Sequence, residues 1–308
     1  MPTYYQLLRE SLVPVSDEKL KRMKLYSRLL AALVAELPRL LGMGASSLLA
    51  ITARRIGEEI ACSEVENLND ALRCISRSTA WSMETYRVNG STVDVIVRDC
   101  PIRQVCMFEG LPIGGTILCN IAKGLLEGFV KKSLNTAVKA TPTATGPNAC
   151  LYRVEARTGS RLPGASRFHI YRELSETSEE YAERVEKNLA LLLERLAGLI
   201  ERAAGPTAVA PLRLSSKRYG GPRARLYPRV GGMEEAVKLL AGETGLSLRV
   251  DGGNIVVEGC PLRSMNKTVL CESMRAFIEG FLSEAVGRPL HVSHAGSTGS
   301  TCMLAVRR

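Results

Sequence analysis

The chain carries an internal duplication, and this feature constrains its fold more than any other. Two cysteines and a Glu-Gly-Phe triplet recur in the same order, as Cys119, 127–129 and Cys150 and then as Cys271, 279–281 and Cys302. The second set follows the first at one constant offset of 152 residues. Solenoid proteins repeat every ~20–50 residues, so a repeat of this length predicts two whole domains with the same fold.

The domain limits follow from this repeat. We expect a first domain at 1–158, a linker at 159–173 that is rich in glycine, proline, serine and arginine, and a second domain at 174–308. Each copy opens with an amphipathic helix, at about 17–42 and 175–204. Because similar surfaces commonly pair with each other, these leading helices predict an internal pseudo-dimer or a homodimer.

Each copy mixes helical and strand periodicity. In the first copy a second helix is expected at 47–61, followed by strands near 81–88 and 92–99 that join at Asn89-Gly90. A helix that contains the Glu-Gly-Phe triplet and a closing pair of strands complete the copy. Helices and an antiparallel sheet in this order predict the α+β class.

The second copy departs from the first at 211–229. Gly220-Gly221-Pro222 replaces part of a helix there, and proline disrupts helix interiors, so the sequence predicts a flexible basic loop or a functional insertion. Six lysines and arginines lie between Arg213 and Arg229 without an acid, in a chain with 41 basic and 31 acidic residues. This excess of positive charge is typical of a segment that binds a nucleic acid, here 213–229, or of a solvent-exposed surface without a partner.

The composition indicates a soluble protein of the cytoplasm. The sequence contains no uninterrupted run of about 18 apolar residues, so no membrane-spanning helix is expected. The N-terminus MPTYYQLLRE lacks a signal-peptide pattern. Nine cysteines are an odd number, so reduced thiols, metal ligands or a redox switch are expected rather than a secreted disulfide scaffold. Glutamine occurs only at Gln6 and Gln104, which is typical of proteins from thermophiles.

The repeat also defines two sets of four soft ligands. They are Cys100, Cys106, Cys119 and Cys150 in the first copy, and Cys260, Cys271, His294 and Cys302 in the second. A hairpin centred near residue 298 would place His294 opposite Cys302 on an inward face, and the same pairing would place Pro142 opposite Cys150. Cys271 is expected to begin a helix, where a thiolate is favoured. The sets suit zinc or, less well, an iron–sulfur cluster; core thiols and a redox pair are the alternatives.

Several of these residues resemble the 4-vinyl reductase domain family. The similar features are an Arg-x-x-Gly-Glu helix at 54–58, a helix that begins at a cysteine and contains a glycine, and a strand pair that ends in Gly-x-x-x-Cys at 146–150. The resemblance covers about 45–157 and, more weakly, 205–308. In the family pattern a cysteine commonly stands eight residues before the last one, where this chain has Pro142 and His294.

The resemblance implies a fold and a kind of ligand. The fold would be similar to that of haem-dependent nitric-oxide sensor domains and of subunits of the trafficking protein particle complex. The function would be binding or sensing of a small apolar or amphipathic molecule, since family members are usually regarded as hydrocarbon-binding modules. Apolar residues on the Glu-Gly-Phe helices would line the pocket; the candidates are Leu125, Phe129, Ile278 and Phe281.

Catalytic motifs are missing from the sequence. Neither a Gly-x-Gly-x-x-Gly pattern after a strand nor a phosphate-binding loop occurs, so no nucleotide cofactor is expected. The sequence therefore favours a non-enzymatic, cytoplasmic protein that binds or senses a small apolar molecule. A nucleic-acid-associated transcriptional regulator and a metal-dependent enzyme of unknown reaction are the alternatives.

Overall fold

The described chain consists of helices and two four-stranded antiparallel sheets, which confirms the α+β class. A computed structural model describes residues 17–63, 65–79, 81–98, 100–147, 149–157, 162–165 and 178–307. Of the predicted linker, only 162–165 lies within these ranges.

Both copies follow one order of elements. The first copy contains α1 (Asp17–Leu41), α2 (Ala45–Glu59), α3 (Leu68–Ser78), β1 (Met83–Asn89), β2 (Thr92–Val97), α4 (Pro101–Glu109), α5 (Cys119–Leu134), β3 (Val138–Thr145) and β4 (Cys150–Ala156). The second contains α6 (Ser178–Ala204), α7 (Val209–Ala224), α8 (Met233–Thr244), β5 (Ser247–Asp251), β6 (Asn254–Glu258), α9 (Thr268–Ala285), β7 (His291–Thr298) and β8 (Thr301–Arg307). The predicted leading helices, hairpins and Glu-Gly-Phe helices are confirmed.

The sheets share one topology, β1-β2-β4-β3 and β5-β6-β8-β7. Their closing hairpins differ from the predicted register by two residues. Val292 pairs with Val306 rather than Leu304, because the turn lies beyond 298 and Ala295 forms a bulge. The first copy has the same shift and a bulge at Thr143. A shift of two residues keeps paired side chains on one face, but beyond each bulge the shift is three residues, so that Cys302 faces Ser297 and Cys150 faces Thr145.

The compact units of the structure divide the chain differently from the sequence copies. Among the described residues, the first unit contains 43–157, 162–165 and 178–189, and the second contains 17–42 and 190–307. The leading helix of the first copy, α1, thus belongs to the second unit. The beginning of α6 belongs to the first unit, where Arg184 donates to the backbone oxygens of Ser76 and Thr79 at 2.7 and 3.1 Å.

Helix α1 is held in the second unit by polar as well as apolar contacts. It packs against α7, α8 and α9. The buried guanidinium of Arg28 forms an ion pair with Glu243 and donates to the backbone oxygen of Glu243 at 2.8 Å. The hydroxyl of Ser215 donates to the backbone oxygen of Ala32 at 3.2 Å. The second unit therefore depends on a helix that precedes it by about 150 residues in the sequence.

Each unit contains one pair of helices in very close contact, α2 with α5 and α7 with α9. Glycines allow this approach: a Cβ added at Gly128 would overlap the backbone oxygen of Arg54, and one at Gly280 would overlap that of Lys217. Gly220 likewise lies against the backbone of α9. The interpretation of 211–229 as a loop or insertion is therefore wrong for 211–224, which is helix α7. Pro222 is tolerated because it lies in the last turn.

The glutamate of each Glu-Gly-Phe triplet connects this helix pair to the sheet. Glu127 is buried, forms an ion pair with Arg54 on α2, and accepts a hydrogen bond from the amide of Ala140 at 3.0 Å. Glu279 accepts from the amide of Val292 at 3.0 Å and forms ion pairs with Lys217 and Arg213. The glutamate of the triplet thus has a structural role in both copies.

One segment of the chain is apolar enough to cross a membrane. By length and composition alone, Glu18–Glu59 passes this test, although half of its most apolar window is buried in the fold. Buried core helices pass the same test, so the expectation that the chain has no membrane span stays a prediction.

Candidate functional site

Four cysteines of the first unit lie close enough to influence one another electrostatically. Cys100 precedes α4, Cys106 lies in α4, Cys119 begins α5 and Cys150 begins β4. The pKa of Cys106 is raised by its hydrogen bond with Cys119, by burial, and by the other three thiols. Cys100, Cys106 and Cys150 are buried, while Cys119 is half-buried. The predicted first-copy set therefore lies in one neighbourhood, which we call the first thiol cluster.

The pKa of Cys119 is lowered, whereas those of Cys100 and Cys106 are raised. The hydrogen bond from Cys106 lowers the pKa of Cys119 to about 6, assisted by the backbone N–H groups of Gly114 and Thr116 and opposed by burial. The lowered pKa of Cys119 beside the raised pKa of Cys106 favours a thiolate at Cys119 and a protonated thiol at Cys106. A thiolate is the nucleophilic form of cysteine, so this pair carries the reactivity of the cluster.

A buried guanidinium lies beside these thiols. Arg103 is 3% exposed, and its Nη1 donates to the backbone oxygen of Val97 at 3.1 Å and lies 3.8 Å from the Sγ of Cys150. In the described part of the chain it has no carboxylate partner, and its Nε has no hydrogen bond. Burial raises the pKa of Cys100 to about 11, although Arg103 acts in the opposite direction. Arg103 thus favours negative charge on the sulfurs around it.

Three cysteines form the second thiol cluster at equivalent positions of the second unit: Cys260, Cys271 and Cys302. Burial raises the pKa of Cys260 and Cys271, and electrostatic repulsion from Cys302 raises both further. The expectation that Cys271 begins a helix is wrong, because α9 begins three residues earlier, at Thr268. The amide of Cys271 is already bonded to the backbone oxygen of Lys267, at 3.3 Å.

His294 lies apart from the second thiol cluster. It pairs with Leu304 across the hairpin, is exposed, and its Nε2 lies 3.2 Å from the hydroxyl of Ser297. Cys302 faces Ser297 instead, so the predicted pairing of His294 with Cys302 is wrong. The pairing differs because the turn lies beyond residue 298 and because Ala295 forms a bulge.

The corresponding pairing in the first copy is also wrong. Pro142 pairs with Tyr152, and Cys150 faces Thr145. Among the described residues, no group of three or more histidines, cysteines, aspartates and glutamates has an arrangement that could hold a metal ion.

The difference between the clusters comes from one deletion. Nineteen residues separate Cys100 from Cys119, but only 11 separate Cys260 from Cys271. The second copy has a 3-10 turn, Arg263–Met265, in place of α4, so it has no counterpart of Cys106. Arg103 is a site residue that the sequence analysis missed, although the repeated Cys-Pro-x-Arg motif at 100–103 and 260–263 marks it.

The predicted pocket residues Leu125, Phe129, Ile278 and Phe281 are all fully buried in the described fold. They lie on α5 and α9, where the tight helix pairs leave no room beside the glycines. Three surface clefts are lined by other residues; the two larger ones belong to the second unit and have volumes of about 670 and 560 Å³. An apolar ligand at the predicted residues would require these helices to separate.

Cys62 and Cys74 belong to neither predicted set of metal ligands. They form a disulfide that joins the segment after α2 to helix α3 in the first unit. Their lack of counterparts in the second copy was visible in the sequence, but a pairing between two half-buried residues depends on the three-dimensional arrangement.

Comparisons with models of known protein families, with curated proteins and with solved structures find no match to this chain. The resemblance to the 4-vinyl reductase domain therefore stays a prediction, as does the fold implied by it.

Proposed function

We propose that this protein is a non-enzymatic sensor whose responsive element is the first thiol cluster, and that it responds to hydroperoxides through Cys119 and Cys106. The observation that supports this proposal is the proximity of these two side chains, which places a half-buried thiol of lowered pKa beside a buried thiol of raised pKa. Low-pKa, accessible cysteines placed next to a resolving cysteine are typical of redox sensors.

The chemistry is a two-electron oxidation in two steps. The Cys119 thiolate attacks a hydroperoxide, takes one oxygen and becomes a sulfenic acid, while the peroxide is reduced to the alcohol. The Cys106 thiol then attacks this sulfenic sulfur, and water leaves as the disulfide forms. Because α4 carries Cys106 and α5 carries Cys119, the new bond would connect two elements that are now separate.

Peptide mapping of the full-length protein after hydroperoxide treatment tests this proposal. At pH 7 we expect a Cys106–Cys119 disulfide as the first product. In Cys106→Ser the sulfenic acid at Cys119 should persist and react with dimedone. Cys271→Ser is the matched control, because Cys271 occupies the position equivalent to Cys119, and this variant should behave like the wild type. Oxidation of Cys271 while Cys119 remains reduced would rule the proposal out.

Zinc binding is the second candidate function, because all four thiols of the first thiol cluster interact electrostatically and four thiolates suit this ion. Binding would require side-chain rearrangement, since the described residues have no preformed ligand geometry. Elemental analysis after purification without chelator distinguishes the two functions. One zinc per chain, lost in Cys119→Ser, would favour the metal; its absence together with disulfide formation would favour the sensor.

The other predicted partners have weaker support. Three of the six basic residues in 213–229 form ion pairs within the second unit: Arg213, Lys217 and Arg225. These charges are partly neutralised, which weakens the case for a nucleic acid bound along that whole segment. A small apolar ligand stays a prediction without a cavity at the predicted residues.

A further inference from the structure

A cationic cleft of about 560 Å³ lies in the second unit, and none of the seven clustered cysteines is among the residues that line it. Its walls are the C-terminal half of α7, the C-terminal end of α9 and the segments that follow each helix. Its charged lining consists of five cations and one carboxylate: Lys217, Arg218, Arg225, Arg229 and Arg288 with Glu284. This cationic cleft contains most of the basic segment that the sequence singled out.

Two of the five cations are neutralised by neighbours, and three are not. Lys217 forms an ion pair with Glu279 at 2.8 Å, and Arg225 forms one with Glu284 at 2.9 Å. Within the described ranges, the side chains of the remaining three have neither a hydrogen bond nor an ion pair: Arg218, Arg229 and Arg288. Several unpaired guanidinium groups at one concave site repel each other, which favours an anion between them.

The first copy shows that this charge is a feature of the second copy alone. The positions equivalent to Gly221, Pro222 and Arg288 hold Glu58, Glu59 and Thr136 in the first copy. Glu58 forms an ion pair with Lys131 at 2.7 Å, so the first copy neutralises the same surface. At this place the second copy has lost two acids and gained an arginine, while Ser283 and Glu284 stand where the first copy has Lys131 and Lys132.

Gly221 supplies an independent argument. A Cβ at Gly221 would meet its nearest atom at 3.8 Å, which is ordinary contact, whereas Gly220 is required by the packing of α7 on α9. Glycine in a helix costs about 1 kcal/mol relative to alanine, so packing does not account for Gly221. Its effect is to leave the wall of the cationic cleft without a side chain.

We propose that the cationic cleft binds a small molecule that carries two or more phosphoryl groups. Arginine is the side chain best suited to phosphate, because its planar fork donates two parallel hydrogen bonds. The volume lies in the range of ~300–1,000 Å³ that is typical of small-molecule sites, and all three unpaired arginines line it. No phosphate-binding loop is needed for such recognition. The proposal is independent of the sensor function.

Isothermal titration of the full-length protein with inorganic tripolyphosphate at physiological ionic strength tests this inference. We expect one site per chain, and each of the single variants Arg218→Gln and Arg288→Gln should weaken binding about tenfold, the loss of one charge-assisted contact. Gly221→Glu restores the acid of the first copy and should abolish binding, while circular dichroism and the melting temperature confirm that the variant folds.

Arg55→Gln is the matched control, since Arg55 is the exposed equivalent of Arg218 in the first copy, and it should leave the affinity unchanged. Absence of tripolyphosphate binding, or equal affinity in all variants, would overturn the proposal. Tighter binding of a short single- or double-stranded DNA that is lost in the same variants would also overturn it, in favour of a nucleic-acid surface.

Discussion

The two units share a scaffold and differ in the chemistry that it carries. In both, glycines bring two helices into contact and a buried glutamate binds the amide of a strand residue, Ala140 or Val292. In the first unit the sheet end holds four thiols, and the equivalent helix surface is neutralised by Glu58. The second unit holds three thiols, which are less buried than those of the first unit, and its equivalent helix surface forms the cationic cleft. The difference indicates that both copies kept the helix packing, while their thiols and their surface charge diverged.

The largest effect is expected when the second copy is separated from α1. Residues 174–308 lack the helix that supplies Arg28 and several fully buried leucines, including Leu25 and Leu29, to the second unit. The fragment should therefore lose cooperative unfolding and aggregate, because Glu243 would lose its buried partner and an apolar surface would be exposed.

Addition of a peptide with residues 16–42 should restore the folded fragment, as measured by circular dichroism and denaturant titration. A peptide of the same composition in scrambled order is the control. Cooperative unfolding of the fragment alone would contradict the assignment of α1 to the second unit.

The next largest effect concerns the shared scaffold. Gly128→Ala and Gly280→Ala should each reduce the free energy of unfolding by about 3 kcal/mol, since a Cβ at either position overlaps a backbone oxygen that cannot move independently of its helix. Gly242→Ala is the control, because nothing lies within 4 Å of its Cβ position in α8, and it should stabilise the protein slightly. A large loss at only one of the two equivalent positions would show that the scaffolds differ.

A smaller effect is expected in the pH dependence of the free energy of unfolding, to which the buried carboxylate of Glu279 contributes. Burial alone would raise the pKa of Glu279, but Lys217, the amide of Val292 and Arg213 together lower it. A carboxylate whose pKa is lowered in the folded state contributes stability above its unfolded pKa of about 4.3, and this stability is lost as the pH falls through the folded value.

Glu279→Gln should therefore cost about 1–3 kcal/mol at pH 7 and progressively less below about pH 4. Urea titrations between pH 3 and 8 measure this difference. The control is Glu284→Gln, whose more exposed carboxylate pairs only at the surface and should contribute little. A cost for Glu279→Gln that does not change with pH would contradict the linkage.

Most of the fold could be predicted from the sequence, and the failures have physical causes. Helical periodicity and the repeat located the helices, but proline in 211–229 gave a false break, since a helix tolerates Pro222 near its end. The hairpin register failed because each turn lies further along the chain than expected, and the bulges at Thr143 and Ala295 then change the pairing by one residue. The placement of α1 in the second unit depends on tertiary contacts, which no local pattern encodes.

The candidate site was predicted in part. The repeat grouped the cysteines correctly by position, and the structure places the four of the first copy near each other. It could not indicate that His294 is exposed, nor that a hydrogen bond from Cys106 makes Cys119 acidic. These properties depend on side-chain geometry and on the amides of Gly114 and Thr116.

The central claim is that reactive thiol chemistry belongs to the first unit, and site-resolved alkylation of the full-length protein tests it most directly. Iodoacetamide labelling followed by mass spectrometry between pH 5 and 9 gives the rate at each cysteine. Cys271 is the more exposed thiol, but its pKa is raised. Because the pKa of Cys119 is about 6, Cys119 should react faster than Cys271 at pH 7 and should reach its half-maximal rate near pH 6. Cys62 and Cys74 should stay unlabelled as a disulfide. Faster labelling of Cys271, or a Cys119 rate that rises only above pH 8, would contradict the account.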